Sequence, residues 1–190
     1  MIIKKDLIVE TSIKILAQKG YFNTTTKMIS EKASIAVGTI YTYFKTKESI
    51  LDYIFLKEYK KRVEYLKSLQ KLTCSHTEKF NLFLDFHFHE LESDQDLGIV
   101  LVQESINPEL QHLQGVKNFA HQLPVFFKEI LDDALQVGEI RELNTAVTAR
   151  IIFSTIRGTV LSIKSSKEDC DLESVKQELK SFISHAINKY

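Results

Sequence analysis

The eight residues that begin at Val37, V-G-T-I-Y-T-Y-F, alternate apolar side chains with small, hydroxyl-bearing and aromatic ones. On a helix, where successive residues turn by roughly 100°, Val37 and Ile40 share an inner face while Gly38, Thr39 and Thr42 face outward. A threonine hydroxyl can hydrogen-bond a base or a phosphate, its methyl group can pack against thymine, and a glycine allows close approach. The outer face therefore has the chemistry of a helix that reads the major groove of DNA.

Side chains around this helix are suited to holding DNA phosphates, which fixes register without reading sequence. Tyr41, Tyr43 and Lys47 supply hydroxyl and ammonium groups. A preceding helix, predicted over residues 25–32, begins with threonines, and its N-terminus favours both a side-chain cap and a phosphate. The predicted DNA-contacting residues are Thr25, Thr26, Lys27, Val37, Gly38, Thr39, Tyr41, Thr42, Tyr43 and Lys47.

The two short helices are separated by a turn at residues 34–36, and a first helix over residues 4–19, ended by Gly20, would brace them. This arrangement is typical of helix-turn-helix domains. The same periodicity fits a solvated helical hairpin in some other all-α protein, and periodicity alone favours neither interpretation.

Two runs of sequence distinguish between these interpretations: G-Y-F-N-T-T-T from Gly20, and I-S-E-K-A-S-I-A-V-G-T-I-Y-T-Y-F-K-T-K-E-S-I-L from Ile29. They resemble the N-terminal domain of TetR-family transcriptional repressors, and the resemblance covers about residues 7–51. It implies a helix-turn-helix domain that binds a pseudo-palindromic operator as part of a dimer.

Three positions depart from the usual pattern of that family. Ser34 stands where glycine is usual in the turn, which predicts a left-handed backbone at a small cost. Ala36 replaces the hydroxyl residue that would cap the reading helix, so we expect a weaker cap there. Val37 falls at a base-reading position of the family and would offer an apolar contact.

The distribution of charge agrees with a DNA-binding end. The whole chain has a net charge of +0, yet residues 1–47 contain eight lysines and three acidic residues, a net charge of +5. The remainder therefore carries −5. A basic end on an acidic body suits a protein that approaches phosphates with one end.

Length and composition predict a helical protein of the cytoplasm. The chain has 190 residues, 44% of them hydrophobic, and only 6 Gly and 2 Pro. Its start resembles no signal peptide, and no apolar run approaches the ~18 residues of a transmembrane helix, so we expect no membrane association. Cys74 and Cys170 are far apart, which predicts free thiols rather than a disulfide.

The predicted fold class is all-α, with about nine helices. The division is placed at residue 47, giving a three-helix DNA-binding domain over residues 1–47 and a larger helical domain over residues 48–190. Residues 112–136 are predicted as one long helix kinked at Pro124.

The last two helices, about residues 144–164 and 172–188, have broad apolar faces. They suit a two-fold four-helix interface, as the family resemblance also implies, although ordinary intramolecular packing fits the same pattern.

The phenylalanine-rich middle of the chain suggests a site for a small lipophilic effector, although any single phenylalanine is more simply explained as core. The segments 103–110, 134–140 and 151–160 also resemble fatty-acid-metabolism regulators of the family, which implies a response to long-chain acyl-CoA, with Arg157 meeting a polar head. A drug-like or other lipophilic effector is the alternative to acyl-CoA. The predicted ligand-binding residues are Phe83, Phe86, Leu101, Gln103, Glu104, Phe119, Leu123, Phe127, Phe153 and Arg157.

Enzymatic chemistry is not indicated. His87 and His89 are two residues apart and point to different sides of a helix, and no second cluster at metal-ligand spacing accompanies them. No nucleophile elbow, phosphate loop or C-x-x-C is present, so no catalytic residue, metal or cofactor is predicted. The interpretation is a ligand-responsive repressor; the alternative is a helical lipid-binding or carrier protein without a DNA-binding function.

Overall fold

The structure, a computed structural model, describes residues 4–165 and 172–189, and it is built from helices as predicted. A 3-10 helix covers Pro108–Leu110 and a π-helix covers Asn118–Gln122. None of the helices within the described ranges is long and apolar enough to cross a membrane. The α-helices are α1 (Lys4–Lys19), α2 (Thr26–Lys32), α3 (Val37–Tyr43), α4 (Lys47–Gln70), α5 (His76–Ser93), α6 (Gln95–Ser105), α7 (Gln114–Lys117), α8 (Leu123–Gln136), α9 (Thr145–Ser165) and α10 (Leu172–Ile187).

The helices pack in two compact units. The head unit consists of Met1–Tyr59 and Asp94–Phe119, and the body unit of Lys60–Ser93 and Ala120–Tyr190. In this grouping α6 and α7 pack with the N-terminal helices, and the domain division at residue 47 stays a prediction. Cys74 in the body unit is a free thiol, while Cys170 lies outside the described residues.

Local sequence determines where the first three helices begin and end. Gly20 closes α1 with φ 73°, a left-handed conformation that glycine adopts without steric cost. Thr25 caps α2, accepting a hydrogen bond from the Met28 N–H at 3.2 Å, as predicted. Ser34 adopts φ 53° in the turn, and Ala36 caps α3 without any side-chain hydrogen bond, so both departures have the predicted effect.

The start of α4 is held by a reciprocal cap and by a close approach of α7. Thr46 Oγ1 accepts from the Ser49 N–H at 3.1 Å, and Ser49 Oγ accepts from the Thr46 N–H at 3.2 Å. The Gly115 N–H donates to Asp52 Oδ1 at 2.5 Å. A Cβ at Gly115 would lie only 2.4 Å from the carbonyl oxygen of Asp52, so only glycine allows this approach.

The single kinked helix predicted over residues 112–136 is wrong. The structure has α7, then the π-helix, then α8, with Pro124 in the first turn of α8. Proline has no N–H, so Pro124 cannot donate to the carbonyl of Ala120, four residues earlier. The five residues before α8 adopt π-helical geometry.

The core of the body unit is aromatic. Helix α8 packs on α5 and α9, and α10 packs on α5 and α9. The Phe127 ring centroid lies 4.9 Å from that of Phe83, 5.3 Å from that of Phe80 and 5.8 Å from that of Phe153. Burial of these rings supplies much of the unit's stability, because aromatic side chains remove the largest apolar areas from water.

A buried hydrogen bond between two basic side chains crosses the same unit. Arg62 is fully buried, and its Nε donates to Nδ1 of His87 at 3.1 Å. His87 stacks on Phe83 with centroids 5.9 Å apart. Burial, and secondarily the Arg62 charge, hold the pKa of His87 well below its ordinary value of 6.5. The imidazole is therefore neutral and acts as an acceptor for the arginine.

We expect acid to destabilise the body unit through His87. Below pH 6.5 the unfolded chain binds a proton that the folded chain does not, so stability that is complete above pH 6.5 falls as the pH drops toward the lowered folded pKa. The slope from this one residue is at most about 1.4 kcal/mol per pH unit. Urea unfolding at a series of pH values, for the wild type and for His87→Gln, measures how the free energy of unfolding depends on pH. The variant keeps an acceptor for Arg62. An equal slope in the variant would contradict this account.

Candidate functional site

Helix α3 is anchored by one residue and leaves the rest of its surface open. Ile40 is fully buried against the other head helices. Tyr41 and Tyr43 are 51% and 41% exposed, which is unusual for such large rings and leaves both available to a partner. Val37 and Thr39 are half-buried, and Thr42, also exposed, bonds back to the Gly38 carbonyl at 3.1 Å.

Gly38 has no packing reason to be glycine. It is exposed, it does not have a positive φ, and a Cβ built on it would meet no atom within 4 Å. Glycine in a helix costs roughly 0.5–1 kcal/mol relative to alanine. A cost that the fold does not explain is consistent with the close approach of something outside the chain, as predicted for DNA.

Helix α2 places its predicted contacts beside α3. Thr26 Oγ1 lies 3.3 Å from the Tyr41 hydroxyl, so the first turn of α2 and the outer edge of α3 form one surface. Thr25 and Lys27 are exposed on the same helix, and Lys27 Nζ is 3.9 Å from Glu31. With α3, these residues form one surface, which we call the reading surface after the role predicted for it: Thr25, Thr26, Lys27, Val37, Gly38, Thr39, Tyr41, Thr42 and Tyr43.

Lys47 was predicted to reach a phosphate, but the structure gives its ammonium other partners. It donates to the Tyr21 carbonyl at 2.6 Å and to the Thr24 carbonyl at 2.8 Å, and it lies 4.0 Å from the centre of the Tyr21 ring. Burial lowers the pKa of Lys47, and the carboxylates of Glu104 and Glu48 oppose that shift. Two of its three N–H donors are used by these carbonyls, so the contact of Lys47 with a phosphate stays a prediction.

Glu104 completes this cluster from α6. Its Oε1 accepts the Tyr21 N–H at 2.9 Å, and only 3% of the residue is exposed. Burial raises the pKa of Glu104, while hydrogen bonds from Tyr21 and Asn107 and the charge of Lys47 oppose that shift. Burial, with the charges of Glu48 and Glu104, raises the pKa of the Tyr21 hydroxyl to about 12. We call Tyr21, Lys47 and Glu104 the clasp, because together they hold the turn between α1 and α2.

The predicted ligand residues are divided between the two units. Leu101, Gln103, Glu104 and Phe119 belong to the head unit, whereas the other six belong to the body unit. Leu101 is buried in the head unit, and Phe119 packs edge-on against Phe55 with centroids 5.5 Å apart. Gln103 lies beside Gly20, where a Cβ would come within 3.3 Å of its Nε2. The sequence did not predict these structural roles, because the contacts join segments far apart in the chain.

The body-unit members of that set are mostly packed together. Leu123, Phe83, Phe127 and Phe153 are at most 1% exposed, and the three rings are in contact through Phe127. Phe86 is half-buried and stacks on Tyr65 with centroids 4.0 Å apart. These ring contacts leave no room for an acyl chain between them, so a ligand at this place requires the rings to separate. Arg157 lies over the Phe153 ring, with Cζ 4.9 Å from its centre.

An apolar face covers one side of α9 and α10. Val147, Ile151 and Phe182 are 51%, 56% and 63% exposed. A groove of about 420 Å³ is lined by Phe182, Leu179, Val175 and polar side chains of both helices. Exposed large apolar side chains grouped on neighbouring helices indicate a surface that is covered by a partner.

Comparison with known proteins gives a consistent result along the chain. Residues 8–54 match the family described as bacterial regulatory proteins, tetR family, and residues 55–186 match the family described as YsiA-like protein, C-terminal region. A fatty acid metabolism regulator protein of Bacillus subtilis (strain 168) is 30% identical over 166 residues, which are 87% of this chain and 86% of the relative.

Two solved structures share the fold. The transcriptional regulator FadR from Bacillus subtilis, in complex with stearoyl-CoA, superposes with a TM-score of 0.81 at 28% identity, covering 94% of this chain and 96% of that one. The fatty acid degradation regulator FadR from Bacillus halodurans has a TM-score of 0.84 at 24% identity, covering 96% and 95% of the two chains.

We expect Gly38→Ala to separate folding from DNA binding. Because a Cβ there meets nothing, the unfolding free energy should stay equal or rise, by up to about 1 kcal/mol. DNA affinity should fall, because the added methyl group occupies the space that a groove wall needs. Urea unfolding and DNA titration of the same preparation measure both effects. Unchanged DNA affinity would show that DNA does not contact the protein at Gly38.

Lys47→Met should destabilise the head unit by about 1–3 kcal/mol, because two buried carbonyls and Glu104 lose their cationic partner. Lys45→Met, at an exposed neighbouring lysine, is the matched control and should leave stability unchanged. The salt dependence of DNA binding gives a second measurement, since each lost phosphate contact lowers its slope by about 1. A lower slope with unchanged stability would make Lys47 a phosphate contact rather than a member of the clasp.

Proposed function

This chain belongs to the tetR family of bacterial regulatory proteins, and from that premise we propose that it is a dimeric repressor released from its operator by long-chain acyl-CoA. It is a DNA-binding transcriptional regulator, as its relatives are described, and the family assignment gives no support to a carrier protein without DNA binding. We place it in the bacterial cytoplasm, where its DNA is.

The observation that carries the proposal is the arrangement of α3. A short helix with its inner residue, Ile40, fully buried keeps a fixed position while its outer residues stay free for contact. Gly38, Thr39 and Thr42 then meet base edges, and Tyr41 and Tyr43 meet phosphates on either side. The domain division proposed from sequence, at residue 47, falls where α3 is followed by the connecting helix α4.

Dimerisation is proposed through the apolar face of α9 and α10. Isologous packing of two helices from each protomer forms a four-helix interface and buries Phe182 and Ile151. A dimer also presents two reading surfaces to the two halves of a palindromic operator, which multiplies the number of contacts with DNA.

The effector class rests on the relatives. One is described as a regulator of fatty acid metabolism, and another was crystallised with stearoyl-CoA. The body unit of this chain offers matching chemistry, since Phe83, Phe127 and Phe153 form an aromatic core that an acyl chain enters by displacing rings. A ligand shifts DNA affinity only by binding one arrangement of the protein better than another, and this opening of the core is one such difference.

The first test is release from DNA. Duplexes selected by the protein from a random pool define the operator, and fluorescence anisotropy then measures affinity with and without stearoyl-CoA. We expect stearoyl-CoA to weaken operator binding about 5- to 150-fold, the usual range of coupling between two sites. CoA without an acyl chain is the control and should have little effect. Failure to enrich any duplex would contradict DNA reading, and unchanged affinity would contradict the effector class.

The second test is the dimer interface. Phe182→Glu should weaken dimerisation by about 2 kcal/mol or more, because it places a charge in the centre of an apolar contact. Phe22→Glu is matched to it, since Phe22 is 56% exposed but belongs to the head unit. Sedimentation equilibrium measures both variants. Dimers of equal strength in Phe182→Glu and the wild type would place the interface on another face.

A further inference from the structure

We infer that Lys5, in the first turn of α1, is a positioning residue for DNA binding. Its ammonium group holds the C-terminal end of α3 through the rings of Phe44 and Tyr53, and it does not itself contact DNA. The inference rests on the proposed function, because it takes α3 as the helix that reads DNA. It adds to that function a residue that lies outside the reading surface.

The three side chains are in contact within the head unit. Lys5 Nζ lies 3.8 Å from the centre of the Tyr53 ring and 5.5 Å from the centre of the Phe44 ring. The two rings meet edge to face, with their centroids 5.5 Å apart and an angle of 66° between their planes. An ammonium group within about 6 Å of a ring centroid is attracted by the negative face of the ring. We call Lys5, Phe44 and Tyr53 the cation–aromatic cluster.

This cluster joins three helices at the end of α3. Lys5 belongs to α1 and Tyr53 to α4, while Phe44 caps α3 and donates its N–H to the Ile40 carbonyl at 2.9 Å. Phe44 is 5% exposed, and Ile40, one helical turn earlier, is fully buried. A helix with one buried anchor can pivot about it, whereas two anchors fix the direction of its axis. Phe44 is therefore the second anchor of α3, and Lys5 and Tyr53 hold it.

The direction of α3 determines whether its outer residues reach the bases. The helix has seven residues and is therefore about 10 Å long. Hydrogen bonds to base edges weaken once the donor–acceptor distance exceeds about 3.2 Å. A small rotation about Ile40 moves the ends of the helix by enough to lose such contacts. A side chain that fixes Phe44 therefore raises DNA affinity without touching DNA.

A lysine at this place is unfavourable for α1 itself. The N-terminal end of a helix carries partial positive charge, which favours an acidic residue such as Asp6 and disfavours Lys4 and Lys5 beside it. Lys4 is exposed, so water screens its charge, whereas Lys5 is half-buried. The attraction between the Lys5 ammonium group and two ring faces offsets this local cost. The cation–aromatic cluster thus gives a physical reason for a charge that the helix alone disfavours.

Fluorescence anisotropy of the full chain, with a duplex that it selects from a random pool, tests the inference. We expect Lys5→Gln to weaken DNA binding about 2- to 30-fold, the range that corresponds to one cation–aromatic contact. Lys5→Arg should keep most of the wild-type affinity, because a guanidinium also stacks on an aromatic face. Lys4→Gln removes the same charge from the exposed neighbour and should change the affinity less than about 2-fold.

A double-mutant cycle with Tyr53→Leu separates an action through the rings from a direct contact with phosphate. If Lys5 acts through the rings, Lys5→Gln should weaken DNA binding little further once Tyr53 has been replaced. The dependence of affinity on salt should keep its wild-type slope in Lys5→Gln, since each lost phosphate contact lowers that slope by about 1. Independent effects that multiply, or a slope lower by about 1, would make Lys5 a phosphate contact and overturn the inference.

Wild-type DNA affinity in Lys5→Gln would also overturn the inference and leave Lys5 with a stabilising role alone. A residue that only stabilises the head unit does not change affinity well below the melting temperature, because nearly all of the protein is folded there. The titrations are therefore made at 25 °C, after thermal unfolding has shown that each variant is folded at that temperature.

Hydrogen exchange of single amides, measured by NMR without DNA, tests the position of α3 independently of the proposed function. Lys5→Gln should speed exchange of the Phe44 amide, because the end of α3 opens more often without its second anchor. The Ala33 amide, which closes α2 on the Ile29 carbonyl at 2.9 Å, is the matched control and should exchange as in the wild type.

Equal exchange of the Phe44 amide in Lys5→Gln and the wild type would overturn the positioning role even if DNA binding falls. A wild-type chain that selects no duplex would overturn the proposed function. The exchange of the Phe44 amide then decides by itself whether Lys5 holds α3.

Discussion

Two partly buried charges of opposite sign hold the turn between α1 and α2. Glu104 accepts the Tyr21 N–H, and Lys47 donates to the carbonyls of Tyr21 and Thr24. Removing Lys47 takes the donor from two carbonyls, and removing Glu104 takes the acceptor from the Tyr21 N–H, each at a cost of about 1–3 kcal/mol. Both side chains therefore hold the same turn. The position of α2 follows from this turn, and the position of α3 follows from α2, so the reading surface depends on a contact that contains none of its own residues.

This dependence makes the head unit more than a three-helix domain. Its stability requires α6, which carries Glu104, and α7, whose Gly115 touches the backbone of α4. The head unit thus extends to residue 119, well beyond the end of α3 at residue 43. Any ligand that favours one placement of α6 also favours one placement of the Tyr21 turn, because the hydrogen bond at 2.9 Å does not tolerate large separations.

Local features of this molecule could be predicted from sequence, and non-local ones could not. The left-handed backbone of Ser34 and the missing cap at Ala36 follow from the residue and its immediate neighbours. Pro124 predicts a disturbance of the helix but not its form, since a kink and a π-helical turn both accommodate a residue without an N–H. Glu104 is predicted from sequence as a ligand residue, whereas its partner in the structure, the Tyr21 N–H, is 83 residues away in sequence and gives no local signal.

The most direct measurement of the central claim is native mass spectrometry of the protein with its selected operator, before and after addition of stearoyl-CoA. The account predicts two chains on one duplex without ligand, and two chains carrying ligand and no duplex afterwards. Two chains that keep both the duplex and the ligand would contradict release by an acyl-CoA. A single chain on the duplex would contradict the dimer that the α9 and α10 face is proposed to form.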